Sequence, residues 1–403
     1  MASPIELAGT KLEGGGQLVR IAVGISALTG IPISIRDIRG NRSGGGGLKT
    51  QHLTAVNWLA TASSAETVGA EKKSRTLEFT PDQDRIPGDG SMPKDIDIGS
   101  PGSIGLVFQA ILPFIMFSAP ASDSGSIQIS IRGGTNVSFS PSFEYIEQVL
   151  LPTLALIGLP PITATLKTRG WSTGGQKIGR ATFNITPLSP GARLPPFNLQ
   201  NRGNITNISA TLIAEPCCYT LACSVLNKVL AAKMPASTIN KDINDLVTVH
   251  LEPSNHPKRL YLLLVAKSST GHKLGRDWLY DEKIRDLPTA VTRLVERVVG
   301  ELAREVEHGG CVDEYMRDQL VVFQALADGR SEVDVGMEKS GEERKAVEPS
   351  LHTRTAEWVV RELLGEEVEF DGRGGCKGVG KVKKDQDEEE VVNGIERLHV
   401  DAE

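Results

Sequence analysis

A helix-like stretch late in the chain carries three chemically different side chains that belong on one face. In VDEYMRDQLVVFQALADG, residues 312–329, the spacing of Tyr315, Asp318 and Gln319 by three and four positions groups them on a helix, with Val322 and Phe323 on the buried side. An aromatic ring, a carboxylate and an amide in this arrangement can converge on one bound group. The alternative, from the spacing alone, is that Asp318 is a solvent-facing acid.

A single histidine precedes the next predicted helix. His352 lies in PSLHTRTAEWVVREL, where Thr353 or Thr355 is expected to cap that helix. The positive end of a helix dipole disfavours imidazolium, so a ring nitrogen stays free to attack phosphorus, and the same helix end can hold a phosphate. An ordinary surface histidine is the alternative.

Two glycine-rich segments near the N-terminus favour close approach of the backbone to a ligand. In LEGGGQLVR, Glu13 precedes three glycines, and Gln17 and Arg20 follow at the start of a predicted helix whose unpaired N–H groups suit an anion. The second segment, SGGGGLKTQHL, resembles a P-loop but fails its pattern, because Leu48 separates the last glycine from Lys49. Plain turns or solvated loops are the alternatives. Around the second segment the chain concentrates polar and basic side chains: Arg39, Arg42, Lys49, Gln51 and His52.

Composition restricts the class of protein. The chain has 403 residues, a hydrophobic fraction of 39% and a net charge of −6, which fits a folded protein with a sizeable core and any RNA contact confined to a local basic cleft. The N-terminus does not resemble a signal peptide and no apolar run is long enough to span a bilayer. We therefore expect an intracellular protein, in the nucleus (nucleoplasm) or cytoplasm, that is not secreted and does not bind a membrane. Cys217, Cys218 and Cys223 are expected to be buried structural thiols rather than metal ligands.

Helical and strand patterns alternate along the first half of the chain. Stretches such as QLVRIAVGISALTG and IGLVFQAILPFIMF have helical spacing, and IPISIRDI and GSIQISIRGG alternate like strands. This pattern predicts an α/β (α+β) fold assembled from repeated β-α modules. The order of the predicted strands and helices changes from about residue 198. We predict a large catalytic domain at 1–197 and 285–370, a smaller inserted α/β domain at 198–284, and a disordered acidic tail at 371–403 that contains the weak basic cluster KVKK; residues 336–349 are expected to form a solvated loop.

Taken together, the motifs resemble one known family. EGGGQLVR, IRGNR followed by GLKTQHL, GSPGSIGLVFQ, RGGTNVSFSP, HGGCVDEYMRDQLVVFQALADG and SLHTRTA occur in the order found in the RNA 3′-terminal phosphate cyclase family, and the resemblance runs from about residue 5 to about residue 365. It implies a large domain of modules like the C-terminal domain of bacterial initiation factor three, with a smaller inserted domain. It also implies ligase-type chemistry in which an RNA 3′-phosphate is converted to a 2′,3′-cyclic phosphate with ATP and a divalent metal, Mg or Mn. The expected partner is RNA with a 3′-phosphate end, and no stable protein partner is predicted.

The resemblance also assigns roles. His352 matches the nucleophile that becomes adenylylated, after which the RNA 3′-phosphate takes up AMP and the neighbouring 2′-OH closes the ring. Glu13 matches an active-site carboxylate, for which we predict metal or phosphate organisation, and Arg42 and Asp318 complete the catalytic set. The positions that match ATP contacts are Gln109, Pro141, Tyr315, Asp318 and Gln319. The positions that match polar groups near the phosphates are Arg20, Arg39, Arg42 and Gln51.

Several positions depart from the family pattern. Gly46 stands where a proline is usual, Pro101 replaces a small residue, and Thr173 and Gln176 replace a proline and a glycine. These departures affect expected substrate handling more than reaction type. The alternative function is that of the non-catalytic cyclase-like branch, a binding module in ribosome assembly. That branch lacks the nucleophilic histidine and erodes EGGGQ, both of which are present here. An enolpyruvyl transferase would not need the pair of motifs around Asp318 and His352.

Overall fold

The chain folds into three copies of one β-α-β-α-β-β unit. The computed structural model describes residues 3–42, 44–82, 92–118, 125–235, 245–340 and 343–380. The first unit consists of β1 (Ile5–Ala8), α1 (Gly16–Thr29), β2 (Ile33–Arg36), α2 (Thr50–Ser63), β3 (Glu66–Val68) and β4 (Leu77–Thr80). Its sheet has the order β1-β2-β4-β3, with β1 and β2 parallel and the other pairs antiparallel. Helix α1 ends where the sequence predicts, because Gly30 takes the left-handed conformation with a φ of 77°.

The second unit repeats this arrangement. It consists of β5 (Asp95–Asp97), α3 (Ile104–Ser118), β6 (Ile127–Gly133), a helical segment in three parts, β7 (Ile162–Thr168) and β8 (Gly179–Ile185). The three parts of the segment are α4 (Phe143–Tyr145), a π-helical turn (Ile146–Leu150) and α5 (Leu151–Leu156). The order β5-β6-β8-β7 matches that of the first sheet, and again only the first pair is parallel.

The third unit is interrupted by an insertion. Its own elements are β9 (Asn198–Leu199), α8 (Glu314–Leu326), β14 (Arg330–Val333), α9 (Leu351–Leu364), β17 (Glu369–Phe370) and β18 (Gly375–Lys377). The sheet order β9-β14-β18-β17 is the same once more, with β9 and β14 parallel. Between β9 and α8 the chain forms β10 (Ile205–Ala214), a 3-10 turn (Pro216–Cys218), α6 (Tyr219–Lys233), β11 (Val247–Pro253), β12 (Tyr261–Ser268), β13 (Lys273–Leu279) and α7 (Leu287–His308).

Two apolar clusters follow from this plan. The larger joins the three units, whose helices pack on one another: α1 lies against α2, α3 and α9, and α8 lies against α3 and α9. The second is formed by the inserted elements around the sheet β11-β10-β12-β13. The predicted α/β class is confirmed. Within the described residues, no helix is both long and apolar enough to cross a bilayer.

The predicted domain boundaries remain a prediction, but the packing shifts two of them. The chain is predicted to return to the large domain at residue 285, whereas the buried face of α7 belongs to the second cluster, so the packing favours a return after His308. The predicted tail begins at 371, yet β18 pairs with β14 and extends that sheet. The KVKK cluster and the rest of the tail lie outside the described residues.

Two local predictions are wrong. Residues 336–349 do not form a plain loop, since Met337–Ser340 (β15) and Glu343–Ala346 (β16) pair as an antiparallel hairpin. Of the three cysteines expected to be buried, only Cys218 is; Cys223 is half-buried and Cys217 is exposed. Within the described residues, no group of three or more histidine, cysteine or acidic side chains is placed to hold a metal ion.

Candidate active site

The N-terminal turns of three helices meet at the junction of the first and third units. Helix α1 starts after Gly15, which occupies the N-cap position. Glycine has no side chain that could accept a hydrogen bond there, so no side chain caps the first N–H groups of the helix. The ring of His52, in the first turn of α2, lies against Gly16, where a Cβ atom would stand 2.3 Å from Nε2. The first turn of α9 reaches Gln17 of α1 through His352. Such a gathering of helix N-termini favours an anionic ligand.

The cap of α9 differs from the prediction. Ser350 accepts the N–H of Thr353 at 3.1 Å, so it is Ser350, rather than Thr353 or Thr355, that caps the helix, and His352 lies inside its first turn. Thr355 has another task. Its hydroxyl accepts the backbone N–H of Glu13 at 3.1 Å, which ties the EGGG segment to the histidine helix.

A chain of hydrogen bonds connects the histidine to the carboxylate of α8. Nδ1 of His352 lies 2.7 Å from Oε1 of Gln17, and Nε2 of Gln17 donates to Oδ2 of Asp318 at 3.2 Å. The Gln319 amide donates to the other oxygen of Asp318. Because the NH₂ group of Gln17 faces the carboxylate, its carbonyl oxygen faces the imidazole, and Nδ1 of His352 carries the proton. Nε2 of the exposed His352 ring is then left with a free lone pair.

Burial shifts the pKa values of Asp318 and His352, the two titratable members of this hydrogen-bond chain. Burial raises the pKa of Asp318 from 3.8 to about 7, against the opposing effects of hydrogen bonds from Gln319 and Gln17 and of the positive charge of Arg20. Partial burial, followed by the charges of Arg20 and Arg42, lowers the pKa of His352 below 6.5, while Glu314 raises it. The imidazole is therefore neutral at pH 7, as a nitrogen nucleophile must be.

Glu13 lies over the start of α1 beside Arg42. Its carboxylate pairs with Arg42, its side chain is 5% exposed, and a Cβ atom on Gly15 would collide with it. Oε1 takes part in the ion pair, whereas Oε2 is buried without a hydrogen-bond partner. A buried carboxylate oxygen left unsatisfied is costly unless a ligand completes it. The ion pair brings together two of the residues that the sequence analysis names as catalytic candidates.

A cleft between the three units adjoins the hydrogen-bond chain of His352, Gln17 and Asp318. It encloses about 600 Å³, part of it open to solvent, and is lined by α1, α3 and α8. Gln17 and Arg20 come from the first unit, Gln109 from the second, and Asp318 and Gln319 from the third. Nε2 of Gln109 is buried and has no hydrogen-bond partner, so it is available to a ligand.

Tyr315 lies in the neighbouring cleft rather than in this one. Its ring packs under the guanidinium of Arg276, 4.3 Å from the ring centroid, and edge-on to Tyr145 at 5.9 Å. Arg276 comes from β13 of the insertion and is held by Glu305 and Glu314. The ring is still 38% exposed, and the cleft it lines, about 1080 Å³, also includes Ser350 next to the histidine.

The remaining predicted residues make supporting contacts. Arg39 is buried and donates to the carbonyl oxygens of Gly45 and Gly47 at 3.4 and 3.3 Å, so it shapes the glycine loop. Gln51 accepts the N–H of Ser103 at 2.9 Å and holds the turn before α3. Pro141 packs on the first turn of α3, where a Cβ atom on Gly105 would stand 2.8 Å from its carbonyl oxygen.

Sequence reasoning gave no role to two residues that the fold makes central. The sequence predicts only that Gln17 lies at the start of a helix, yet it links His352 to Asp318. His52 is 3% exposed and accepts the N–H of Lys49 at 3.3 Å, and burial lowers its pKa well below 6.5, with Arg20, Arg39 and Lys49 adding to the shift. Its place three residues after the lysine, in the first helical turn, was the available signal.

The positions that depart from the family pattern lie in the first and second units. The carbonyl oxygen of Pro101 packs against Gly134, where a Cβ atom would stand 2.5 Å away. Thr173 has a buried hydroxyl without a hydrogen-bond partner, and Gln176 is exposed. A Cβ atom added at Gly46 would stand 3.0 Å from the carbonyl oxygen of Ile38. None of these four positions belongs to the hydrogen-bond chain of His352, Gln17 and Asp318.

Comparison with known proteins identifies the family of this chain. A family model described as RNA 3′-terminal phosphate cyclase matches residues 11–370. The chain is 32% identical over 379 residues to an RNA 3′-terminal phosphate cyclase of Methanopyrus kandleri, covering 93% of this chain and 97% of the relative. It is 30% identical over 384 residues to the protein of that name from Desulfurococcus amylolyticus, covering 94% and 97%, and 29% identical over 397 residues to that of Drosophila melanogaster, covering 94% and 98%. With a match over nearly the whole chain, this protein belongs to the RNA 3′-terminal phosphate cyclase family.

Proposed function

We propose that the protein converts an RNA 3′-phosphate to a 2′,3′-cyclic phosphate with ATP, through a covalent adenylate on His352. One observation supports this most strongly. The chain from His352 through Gln17 to Asp318 leaves Nε2 of the histidine unprotonated, at the N-termini of two helices and close to Arg20 and Arg42. A neutral, oriented imidazole beside an anion site is what attack on a phosphate requires.

In the first step Nε2 of His352 attacks the α-phosphorus of ATP, a P–N bond forms, and the bond to pyrophosphate breaks. The imidazole becomes cationic as it bonds to phosphorus, and the Nδ1 proton stays on the ring, where Oε1 of Gln17 accepts its hydrogen bond. The positive charges of Arg20 and Arg42 and the free N–H groups of α1 and α9 stabilise the negative charge on the phosphate oxygens. Because the bound ring is positively charged, it leaves as neutral imidazole with the electrons of the P–N bond, so that bond stays reactive.

In the second step an oxygen of the RNA 3′-phosphate attacks the same phosphorus and displaces His352, which gives an RNA–adenylate. The 2′-OH of the terminal ribose then attacks the RNA phosphorus, loses its proton and expels AMP. Asp318 is suited to move a proton because burial raises its pKa to about 7, close to neutral pH. Only a ribose end can close the ring, so the last step distinguishes RNA from DNA.

Glu13 and Gln109 fit the remaining requirements of ATP and a divalent metal. The buried, unpartnered Oε2 of Glu13 is a hard oxygen donor of the kind Mg or Mn prefers, and it lies beside the ion pair with Arg42. A bound divalent cation supplies charge neutralisation for the triphosphate. We assign base recognition to the exposed ring of Tyr315 together with Pro141, and a polar contact to the unpartnered amide of Gln109. We also propose that the protein works in the nucleus or the cytoplasm, where both RNA and ATP are present.

Covalent labelling tests the proposal. Incubation of the purified chain with α-labelled ATP and Mg or Mn should label it through an acid-labile, alkali-stable bond, and His352→Ala should abolish the label. His250→Ala is the matched control, because His250 is an exposed histidine on β11 of the insertion. A label that persists in His352→Ala would refute the assignment, and a wild-type chain that takes up no label but binds RNA would favour a binding module. With RNA, a 2′-deoxy 3′-terminal nucleotide should accumulate the adenylate without a cyclic product.

A further inference from the structure

One aromatic side chain stands almost wholly in solvent at the rim of the second unit. Phe139 is 96% exposed and has a φ of 60°, a left-handed conformation that bulky residues rarely adopt. Such a conformation costs on the order of 1–3 kcal/mol. Since the ring makes almost no contact with the chain, packing within the protein does not explain why it is held there.

The turn that carries Phe139 is held firmly. The N–H of Ser138 donates to the hydroxyl of Ser172 at 3.2 Å, and the hydroxyl of Ser140 donates to the carbonyl of Val137 at 2.9 Å. Deeper in the same loop, Asn136 is fully buried and donates to Glu144 at 2.7 Å. The exposed ring is therefore presented on a fixed support, a property expected of a preorganised contact.

That support is extended by Arg169, which joins the loop to the insertion. Its guanidinium, with a side chain 14% exposed, pairs with Glu144 of the second unit and with Glu252 of β11. It also donates to Asn136 at 3.3 Å. The base of the Phe139 loop is thus fixed to both apolar clusters.

Positive charge lies next to this turn. Arg259 of the insertion lies over the ring of Trp171, 5.6 Å from its centroid, and donates to the carbonyl of Gly174 at 3.3 Å, while its Nε is buried without a partner. Lys177, whose backbone pairs with that of Trp171, and Lys258, the neighbour of Arg259 in the chain, are both exposed. In the described part of the chain no carboxylate pairs with any of these three cations. The nearby acids are engaged elsewhere: Glu144 and Glu252 by Arg169, and Glu215 by the hydroxyl of Ser254.

We propose that Phe139, Lys177, Lys258 and Arg259, here called the Phe139 face, dock the single-stranded RNA nucleotides that lie just upstream of the 3′-phosphate end. This inference rests on the proposed function and adds to it the surface that receives the substrate. An exposed aromatic ring beside cations is the pattern by which proteins hold single-stranded nucleic acid, since a base stacks on the ring and the phosphates meet the positive charges.

The position of the face favours RNA over the adenine of ATP. Phe139 does not line the cleft formed by α1, α3 and α8, and its ring points into solvent. Two residues later, however, Pro141 packs on the start of α3, the helix that carries Gln109 into that cleft. RNA whose end enters the cleft would therefore leave it across this rim.

The test uses a 3′-phosphorylated RNA oligonucleotide with 2-aminopurine at successive positions from the 3′ end, because stacking of this base on a ring quenches its fluorescence. Phe139→Asn should raise the Kd for the RNA by roughly five- to a hundred-fold and remove the quenching at one position, whereas Phe139→Trp should keep both. Lys177→Gln and Lys258→Gln should each reduce the salt dependence of Kd by roughly 0.7 in the log–log slope. Val68→Ala, which changes another exposed apolar side chain on β3, is the control.

Two further readouts keep the test decisive. Asparagine tolerates a left-handed backbone, so Phe139→Asn should not lower the Tm, and a loss of binding then cannot be ascribed to misfolding. Labelling by ATP alone should be unchanged in the variant; slower labelling would place the ring in the nucleotide site and overturn the proposal, as would wild-type RNA affinity in Phe139→Asn. Kd is read at equilibrium without turnover, so failure of the wild-type chain to label with ATP counts against the proposed function alone.

Discussion

Replacement of Asp318 by asparagine should separate stability from catalysis. Burial raises the pKa of this carboxyl from 3.8 to about 7, so the folded state binds a proton between these pH values that the unfolded state has already released. Stability is therefore highest below pH 3.8 as far as this group is concerned, and it is lost as the pH rises towards 7. At about 1.4 kcal/mol per pH unit, the full difference corresponds to about 4 kcal/mol.

The asparagine variant lacks this penalty. At pH 8 Asp318→Asn should be more stable than the wild type by up to about 4 kcal/mol, whereas at pH 5 the gain should be less than half of that, because the pH then lies only a little above the unfolded-state pKa of 3.8. For a chain of this size, that gain corresponds to a rise in Tm of roughly 5 °C. Loss of the attraction between Asp318 and Arg20 reduces the gain and does not change its sign.

Calorimetric Tm values at half-unit steps from pH 5 to pH 8 measure this difference. Asp245→Asn, at an exposed position, is the control and should show no pH-dependent gain. A Tm difference that is flat with pH, or that falls as the pH rises, would refute the conclusion that Asp318 carries a burial penalty.

The same variant should lose labelling activity for a reason that the hydrogen bonds specify. Both oxygens of Asp318 accept amide donors, one from Gln17 and one from Gln319. An asparagine NH₂ group in their place favours rotation of the Gln17 amide, which would turn its own NH₂ group towards Nδ1 of His352. The imidazole proton would then move to Nε2, and the attacking lone pair would be lost. A stable variant with little label is the expected combination.

Two further predictions concern the histidine chain. The rate of self-adenylylation should stay near its maximum at pH 6.5 and decline only in more acidic buffer, because burial, Arg20 and Arg42 lower the pKa of His352; single-turnover labelling between pH 5 and 8 measures this, and a decline centred above pH 7 would contradict it. Gln17→Leu should slow the same reaction on the order of a hundred-fold by releasing the ring from its tautomer, with CD and Tm as checks on folding; labelling at the wild-type rate would show that Gln17 does not orient the nucleophile.

The sequence predicts the elements that follow a simple period and end on a clear signal. Helix α1 ends on Gly30, and α2 and α3 follow their apolar spacing. The hairpin of β15 and β16 was missed because its strands are charged and lack the apolar alternation that marks a half-buried strand. The third unit could not be recognised, because its first strand, Asn198–Leu199, has two residues and the whole insertion separates it from α8.

In the candidate site too, contacts within one helix can be predicted from the sequence, whereas contacts between residues far apart in the sequence cannot. Spacing groups Asp318 and Gln319 on one face of a helix, and both do line the cleft beside α1. Tyr315 shares that face in sequence but turns into the neighbouring cleft, since Arg276 from the insertion lies over its ring. The bond between His352 and Gln17 joins residues 335 positions apart, and only the assembled fold reveals it.

The threefold repetition explains why a site forms where it does. Each unit places its first helix after its first strand in the same sheet order, so α1, α3 and α8 are equivalent elements that pack around one centre. A cleft bounded by three equivalent helices receives one set of side chains from each. Among the described residues, the third unit also brings His352 on α9, and the insertion interrupts that unit. Arg276, on β13 of that insertion, lies over the ring of Tyr315. Arg169 pairs with Glu252 on β11, the opposite edge of the inserted sheet, and so joins the insertion to the Phe139 loop. The inserted elements therefore contact both sides of the site. The insertion therefore supports both the ring assigned to the nucleotide and the loop assigned to the RNA.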